Sequence, residues 1–449
     1  MAGSYCQMLL LLVATTAATS SSSAAATTQK AVEHLQLVSR HSAAIISKTS
    51  VMYQGSKSTS NVSYAGFMCP GFVAAKGHLL SFAEGRLWDC GDFGHHDLVF
   101  RRSVDDGKTW EPLRTILDPN TLPGCNKTEA CLPYSGGCQT GKGTICGGGC
   151  AVWDPTPVVD RVTGDVHVFF GRSTTSCRGG AQSAGYRTDL WVMTTSDLGG
   201  TWSAPRNVTD TCSTPYGGGV TGSEGHGIQL ESGMLIVPLY NVPTAHGGQG
   251  TCTSIDHGKT WQHGGAAAPI EGEFSGPYEG EIVELFEKTA NGGPRLMYDT
   301  RISAAAGGKI CKGVKNCRVT YESDDLGLTW TNATGHPEMP DPSCKGGIVR
   351  WTAAGDTGKR ALFAIGVDST ALRVKETIFA SLDDGKTFPH KLQIDTSGGY
   401  STINLNNANM LAAFYDYSPD GHVGSSTRPG GCSFNLAIVD PEILLNNTM

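Results

Sequence analysis

The stretch Ser103-Val104-Asp105-Asp106-Gly107-Lys108-Thr109-Trp110 decides how the rest of the chain is read. Its pattern is Ser-x-Asp-x-Gly-x-Thr-aromatic. It returns, with Thr for Ser in the first case, at Thr195–Trp202, Ser254–Trp261, Ser323–Trp330 and Ser381–Phe388. Each copy specifies a tight turn between strands. The Asp caps backbone N–H groups, the Gly accepts a positive φ, and the Thr and aromatic residue lead into the next strand. The copies recur roughly every 60 to 90 residues, too widely for a solenoid and suited to one copy per propeller blade plus insertions.

Working outward, short apolar runs alternate with turn signals: Leu79–Ala83, Leu98–Arg102, Val166–Phe170, Leu190–Thr194, Leu296–Asp299, Ala361–Ile365 and Met410–Tyr415 among them. No convincing long helix interrupts them. The expectation is an all-β fold, a closed β-propeller built on these Asp boxes. Residues 1–26 read as a signal peptide and small-residue leader, from the apolar run Met8–Ala18. Residues 27–63 read as irregular and 64–445 as the propeller, with 118–150 a Cys- and Gly-rich insertion.

The formal net charge of −7 argues against a nucleic-acid surface. No segment after the leader has the length of unbroken apolar residues that a membrane span needs, so no transmembrane segment is expected. Of 15 Cys, Cys6 lies in the leader, and the other 14 point to disulfides and an oxidising compartment. The sequons at Asn61, Asn126, Asn207 and Asn332, and a less convincing one at Asn446, agree with a secreted or lumenal protein. Lysosome or vacuole remain compatible destinations. Cys125, Cys131, Cys138, Cys146 and Cys150 lack the paired C-x-x-C spacing of a zinc knuckle. Gly136–Lys142 approaches a P-loop, but Gly143 stands where Ser or Thr is needed.

At Leu79–Trp110 the text becomes specific: LLSFAEGRLWDCGDFGHHDLVFRRSVDDGKTW. Further on come Pro155-Thr156-Pro157-Val158-Val159-Asp160, Gly225-His226-Gly227-Ile228-Gln229-Leu230, Tyr278–Leu285 followed by Arg301, Cys344-Lys345-Gly346, and Gly399-Tyr400-Ser401. This ordered series resembles the exo-sialidase (neuraminidase) family over roughly residues 64–440. The resemblance implies a six-bladed β-propeller with Asp-box repeats, and sialylated glycans or glycoconjugates as partners.

A sialic acid carries a carboxylate directly on its anomeric carbon. That geometry asks for planar, permanently charged guanidinium donors and for a nucleophile that is not itself an anion. The resemblance implies Tyr400 as nucleophile, Glu279 as the base that activates it and Asp92 as general acid/base. Glu281 is a local rival of Glu279; Asp89 and Asp97 are rivals of Asp92. Arg301 and Arg373 match two of three carboxylate-clamping arginines, and Arg86 resembles a further Arg on the sugar's hydroxyl side. The tetrad expected to carry the first clamp Arg reads Phe67-Met68-Cys69-Pro70, so Met68 stands where a guanidinium is expected. The chemistry implied needs no metal and no organic cofactor. The leading expectation is a retaining exo-α-sialidase-like glycosidase. The alternative, raised by Met68, is a non-catalytic glycan-binding propeller.

Overall fold

Six antiparallel sheets follow one another along the chain and close into a ring. They run Gly66–Leu117, Ala151–Asn207, Gly219–Ala267, Gly280–Pro340, Gly347–Gln393 and Ser401–Val439. The structure, a computed structural model, describes residues 44–87, 90, 95–125, 150–173, 188–213, 219–242, 248–267, 278–302, 310–331, 333–355, 358–418 and 432–448. The leader and most of the insertion lie outside these residues, as do Asn126 and Asn332. The first strands of neighbouring sheets touch around most of the ring, and that of the fourth sheet meets Leu235–Val242 of the third, which makes the first strands the innermost. The six blades are what the family resemblance implied.

One boundary is corrected. Ile45–Met52, inside the stretch expected to be irregular, is a strand. It pairs antiparallel with Ser433–Val439 and completes the sixth sheet. The propeller therefore begins by Ile45, not at 64. As an edge strand it alternates half-buried and exposed side chains and presents no apolar run to notice.

This closure explains why six blades carry five boxes. Each box forms the turn between the third and fourth strands of its sheet. In the sixth sheet those strands come from opposite ends of the sequence, so no turn joins them. In the first box Gly107 N–H donates to Ser103 Oγ at 2.9 Å, and Thr109 donates to Asp105 from N–H at 2.9 Å and from its hydroxyl at 2.6 Å. Asp106 and Gly107 both take left-handed φ values, 57° and 87°. The other four boxes repeat these bonds. Trp202 and Trp261 of the boxes set their edges against Phe82 and Phe169 of the preceding sheet, at 5.9 and 4.7 Å between ring centroids. Such contacts add roughly 0.5–1.5 kcal/mol each beyond burial.

Alternating strand direction sorts the two ends of the axis. Inner strands begin, and second strands end, at one end; the boxes lie at the other. Four disulfides occur among the described residues: Cys90–Cys432, Cys125–Cys150, Cys212–Cys252 and Cys311–Cys317. Cys69 and Cys344 are buried thiols. No helix among the described residues is long and apolar enough to cross a membrane.

Candidate active site

The fourth and sixth sheets bring three of the expected residues into contact. Glu279 immediately precedes the inner strand Gly280–Lys288, and Arg301 follows its partner strand Pro294–Thr300. The hairpin pairing sets the two opposite each other, with Arg301 N–H donating to the Glu279 carbonyl at 3.2 Å. Tyr400 precedes the inner strand Ser401–Leu405. Its backbone is fixed by Asp416, whose carboxylate accepts from Tyr400 N–H at 3.1 Å and whose own N–H donates to the Tyr400 carbonyl at 2.8 Å.

The side chains then meet. Arg301 Nη1 donates to the Tyr400 hydroxyl at 2.7 Å and to the Ser343 carbonyl at 3.1 Å. Its Nη2 donates to Glu279 Oε1 at 2.8 Å, and its Nε lies 2.6 Å from Oε2. The Tyr400 hydroxyl donates to Glu279 Oε1 at 3.4 Å. Tyr400 and Glu279 are 8% and 5% exposed, so these interactions act in a poorly solvated place. Burial holds the Tyr400 phenol well above its ordinary pKa; Glu279 adds to that, while Arg301 and Arg373 oppose it. The phenol is therefore protonated near neutral pH and needs a base to become nucleophilic.

Arg373 lies in the loop after Arg360–Val367, its guanidinium carbon 4.6 Å from the Tyr400 ring centroid. Among the described residues no carboxylate or carbonyl takes its donors. Arg86 is on the same end, but its guanidinium is committed. Nε and Nη2 bind Glu84 Oε2 at 3.0 and 2.7 Å, and Nη1 binds the Cys90 carbonyl at 2.6 Å. Glu84 is held down to about 2, its burial outweighed by Arg86 and His96.

Glu281 is separated from Glu279 by its partners. Fully buried, it takes Lys345 Nζ at 2.5 Å and Ile348 N–H at 3.0 Å, with His226 Nε2 at 3.2 Å. It is an internal ion-pair partner. Asp97 likewise accepts from the Tyr64 hydroxyl at 2.8 Å and lies 2.7 Å from His95 Nε2. Asp92 and Asp89 lie outside the described residues. Met68, 4% exposed on the inner strand of the first sheet, belongs to an apolar cluster with Cys69, Cys344, Val367, Cys432 and Tyr400. The chain thus has sulfur and hydrocarbon where a third clamp guanidinium was expected.

Sequence reasoning passed over Asp154 and Glu224, which the fold brings to the same end. Asp154 Oδ2 accepts from Tyr240 at 2.9 Å and Thr221 at 3.1 Å. Burial, then Glu84 and Glu279, push its carboxyl up to about 7. Glu224 is wholly buried and pushed well above the usual carboxylate range, first by burial and then by Glu279 and Asp154. The available signal was adjacency: Asp154 directly precedes the Pro155–Asp160 motif and Glu224 the Gly225–Leu230 motif. A cavity of 470 Å³ opens at the opposite end of the axis, lined by Arg161, Glu284, Arg350 and Asn404 among others, and includes none of these residues.

A family model described as BNR repeat-like domain matches residues 77–418. Among curated proteins, the chain is similar to a sialidase of Bacteroides fragilis, 27% identical over 79% of this chain and 60% of that one. A sialidase of Micromonospora viridifaciens is 27% identical over 81% of this chain and 50% of its own length. The exo-alpha-sialidase of Aspergillus fumigatus is 23% identical over 86% and 88%. The chain thus spans only 60% and 50% of the two bacterial relatives. Among solved structures, a Hadza microbial sialidase superposes with a TM-score of 0.65 at 24% identity, covering 85% of this chain and 67% of that one. The intramolecular trans-sialidase of Ruminococcus gnavus gives 0.66 at 15% identity, covering 89% and 99%. At these identities the structural likeness speaks for the fold alone.

Proposed function

The chain belongs to the BNR repeat-like domain family, and from that premise we propose that it is a retaining exo-α-sialidase-like glycosidase releasing terminal sialic (nonulosonic) acid. The observation that carries the reading is the Tyr400 hydroxyl standing between Arg301 Nη1 and Glu279 Oε1. Sialidases are the tyrosine exception among two-carboxylate glycosidases. The reason is electrostatic: the substrate's own carboxylate repels an anionic nucleophile at the adjoining carbon.

In this mechanism Arg373 and Arg301 take the substrate carboxylate. Glu279 accepts the phenol proton as Tyr400 Oη attacks the anomeric carbon. Asp92 gives its proton to the departing glycosidic oxygen, and the aglycone leaves. Asp92 then takes a proton from water, whose oxygen displaces Tyr400, and the phenolate recovers its proton from Glu279. Two inversions give net retention. The implied setting is secreted or lumenal, with the exposed sequon residues Asn61, Asn207 and Asn446 open to glycans; the disulfides are compatible with this.

The test is hydrolysis of fluorogenic N-acetylneuraminic and deaminated (KDN) glycosides, with the first-released anomer read by NMR. The expected result is the α-anomer and a loss of at least about 100-fold in kcat for Tyr400→Phe. Turnover untouched by that substitution overturns the mechanism. Met68 favours the second reading, a glycan-binding propeller without turnover. A charge-assisted bond of the missing kind contributes roughly 1.5–3 kcal/mol, about one to two powers of ten. Glycan binding without hydrolysis by the wild type, with activity appearing in Met68→Arg, selects that reading.

A further inference from the structure

The first three sheets each turn one residue into the left-handed region at the Tyr400 end of the axis. These are Cys69 at φ 61°, Asp154 at 54° and Glu224 at 62°. Cys69 and Asp154 sit where the pairing register of their inner strands shifts, and each precedes a proline. Glu224 follows the inner strand Gly219–Gly222. Next to it, Gly225 N–H donates to the Pro70 carbonyl at 2.8 Å and Phe72 N–H to the Gly225 carbonyl at 3.0 Å, tying the third sheet to the first. The donor atoms of Cys69, Asp154 and Glu224 consequently lie within 4.8 Å of one another, and all three residues are buried.

The charges around them do not balance. Arg86 is matched by Glu84, Arg301 by Glu279 and Lys345 by Glu281. Arg86 Nη2 lies 3.9 Å from Cys69 Sγ but is already held by Glu84. His96 stands beside Glu84 and His226 beside Glu281. That leaves Asp154 and Glu224 facing each other without a cation of their own among the described residues. Among the described residues, no donor reaches either Glu224 oxygen other than a proton shared with Asp154, although the side chain is fully buried. A buried, unpaired carboxylate is costly enough that a counter-charge is required.

We propose that Cys69, Asp154 and Glu224 form a binding site for a borderline-soft divalent cation, with zinc as the type. One thiolate and two carboxylates are a ligand set zinc accepts, and three protein ligands leave its fourth position to water or a substrate oxygen. Binding releases the Cys69 thiol proton, and any proton held between the two carboxyls, to solvent. The cation then sits one residue from Met68, which stands where the first clamp guanidinium was expected. A proton shared by Asp154 and Glu224 is the rival occupant.

The full-length protein is dialysed against zinc or cobalt(II), and bound metal is measured by mass spectrometry. Cobalt binding is followed optically for thiolate-to-metal charge transfer. The proposal expects roughly one equivalent per chain, displacement of cobalt by zinc, and a charge-transfer band in the wild type. Cys69→Ser abolishes the band, Cys344→Ser keeps it, and Glu224→Gln weakens binding by about 10- to 100-fold. Wild type that binds no metal, or binds cobalt without the band, leaves only the shared proton and overturns the proposal without any variant having to fold. Full binding retained by Cys69→Ser overturns it as well. Metal uptake is read without turnover, so a chain inactive on sialosides tests it equally well.

Discussion

Arg301 donates to the Tyr400 hydroxyl from Nη1 at 2.7 Å while its Nη2 and Nε hold the Glu279 carboxylate at 2.8 and 2.6 Å. One planar fork thereby fixes the distance between nucleophile and base. A lysine keeps the charge and loses the fork. Arg301→Lys is expected to lower kcat/KM on a sialoside by about 100-fold, some 2.7 kcal/mol. Steady-state kinetics with a folded-state check by circular dichroism measures it; a variant within about threefold of wild type contradicts the geometry.

Glu279 and Glu281 lie two residues apart but serve different partners. Glu279→Gln keeps an acceptor for Arg301 and removes the proton acceptor for Tyr400. It is expected to cost about 10²–10⁴ in kcat and, by leaving the Arg301 charge without its carboxylate, to lower the melting temperature as well. Glu281→Gln leaves Lys345 charged and unpaired in a fully buried place, a loss of roughly 3–5 kcal/mol of stability. Thermal melts alongside kinetics separate the two outcomes.

Buried carboxyls set the direction of pH dependence. Burial raises Glu376 from 4.5 to about 8 and Asp416 from 3.8 to about 7. Each folded group keeps a proton that the unfolded chain releases, so each contribution is present in full below the unfolded pKa. It is lost as pH climbs through the folded one. Each group adds a slope of about 1.4 kcal/mol per pH unit within its window. Urea unfolding between about pH 5 and 8 is expected to show falling stability, and Glu376→Gln to remove one such slope. A slope unaltered in that variant refutes the assignment.

Asp105 accepts from the backbone and the hydroxyl of Thr109, far from Tyr400. Asp105→Ala is expected to cost about 1–2 kcal/mol of stability and to leave kcat alone. A comparable loss of activity would place the box in the chemistry, contrary to the topology.

The boxes made the blades legible because a turn with two left-handed residues demands particular side chains over a few positions. Tyr400, Glu279 and Arg301 were legible through local words such as Gly399-Tyr400-Ser401. Ile45–Met52 was not, because an edge strand that is exposed on alternate positions resembles a polar linker. Cys69, Asp154 and Glu224 were not, because each is one residue in a different sheet and the sequence offers no spacing that links them. Only closure of the ring brings them within reach of one another.

The seam of that ring has its own timetable. Ile45–Met52 is made before the first sheet, yet its partner Ser433–Val439 comes only after all five intervening sheets. Cys90 must likewise wait for Cys432, 342 residues later. Five blades can pair within themselves as they emerge; the sixth cannot. A nascent chain therefore carries an unsatisfied strand and an idle thiol while those five sheets are made. Whatever folding assistance this protein receives is needed most for that long interval before the last blade arrives.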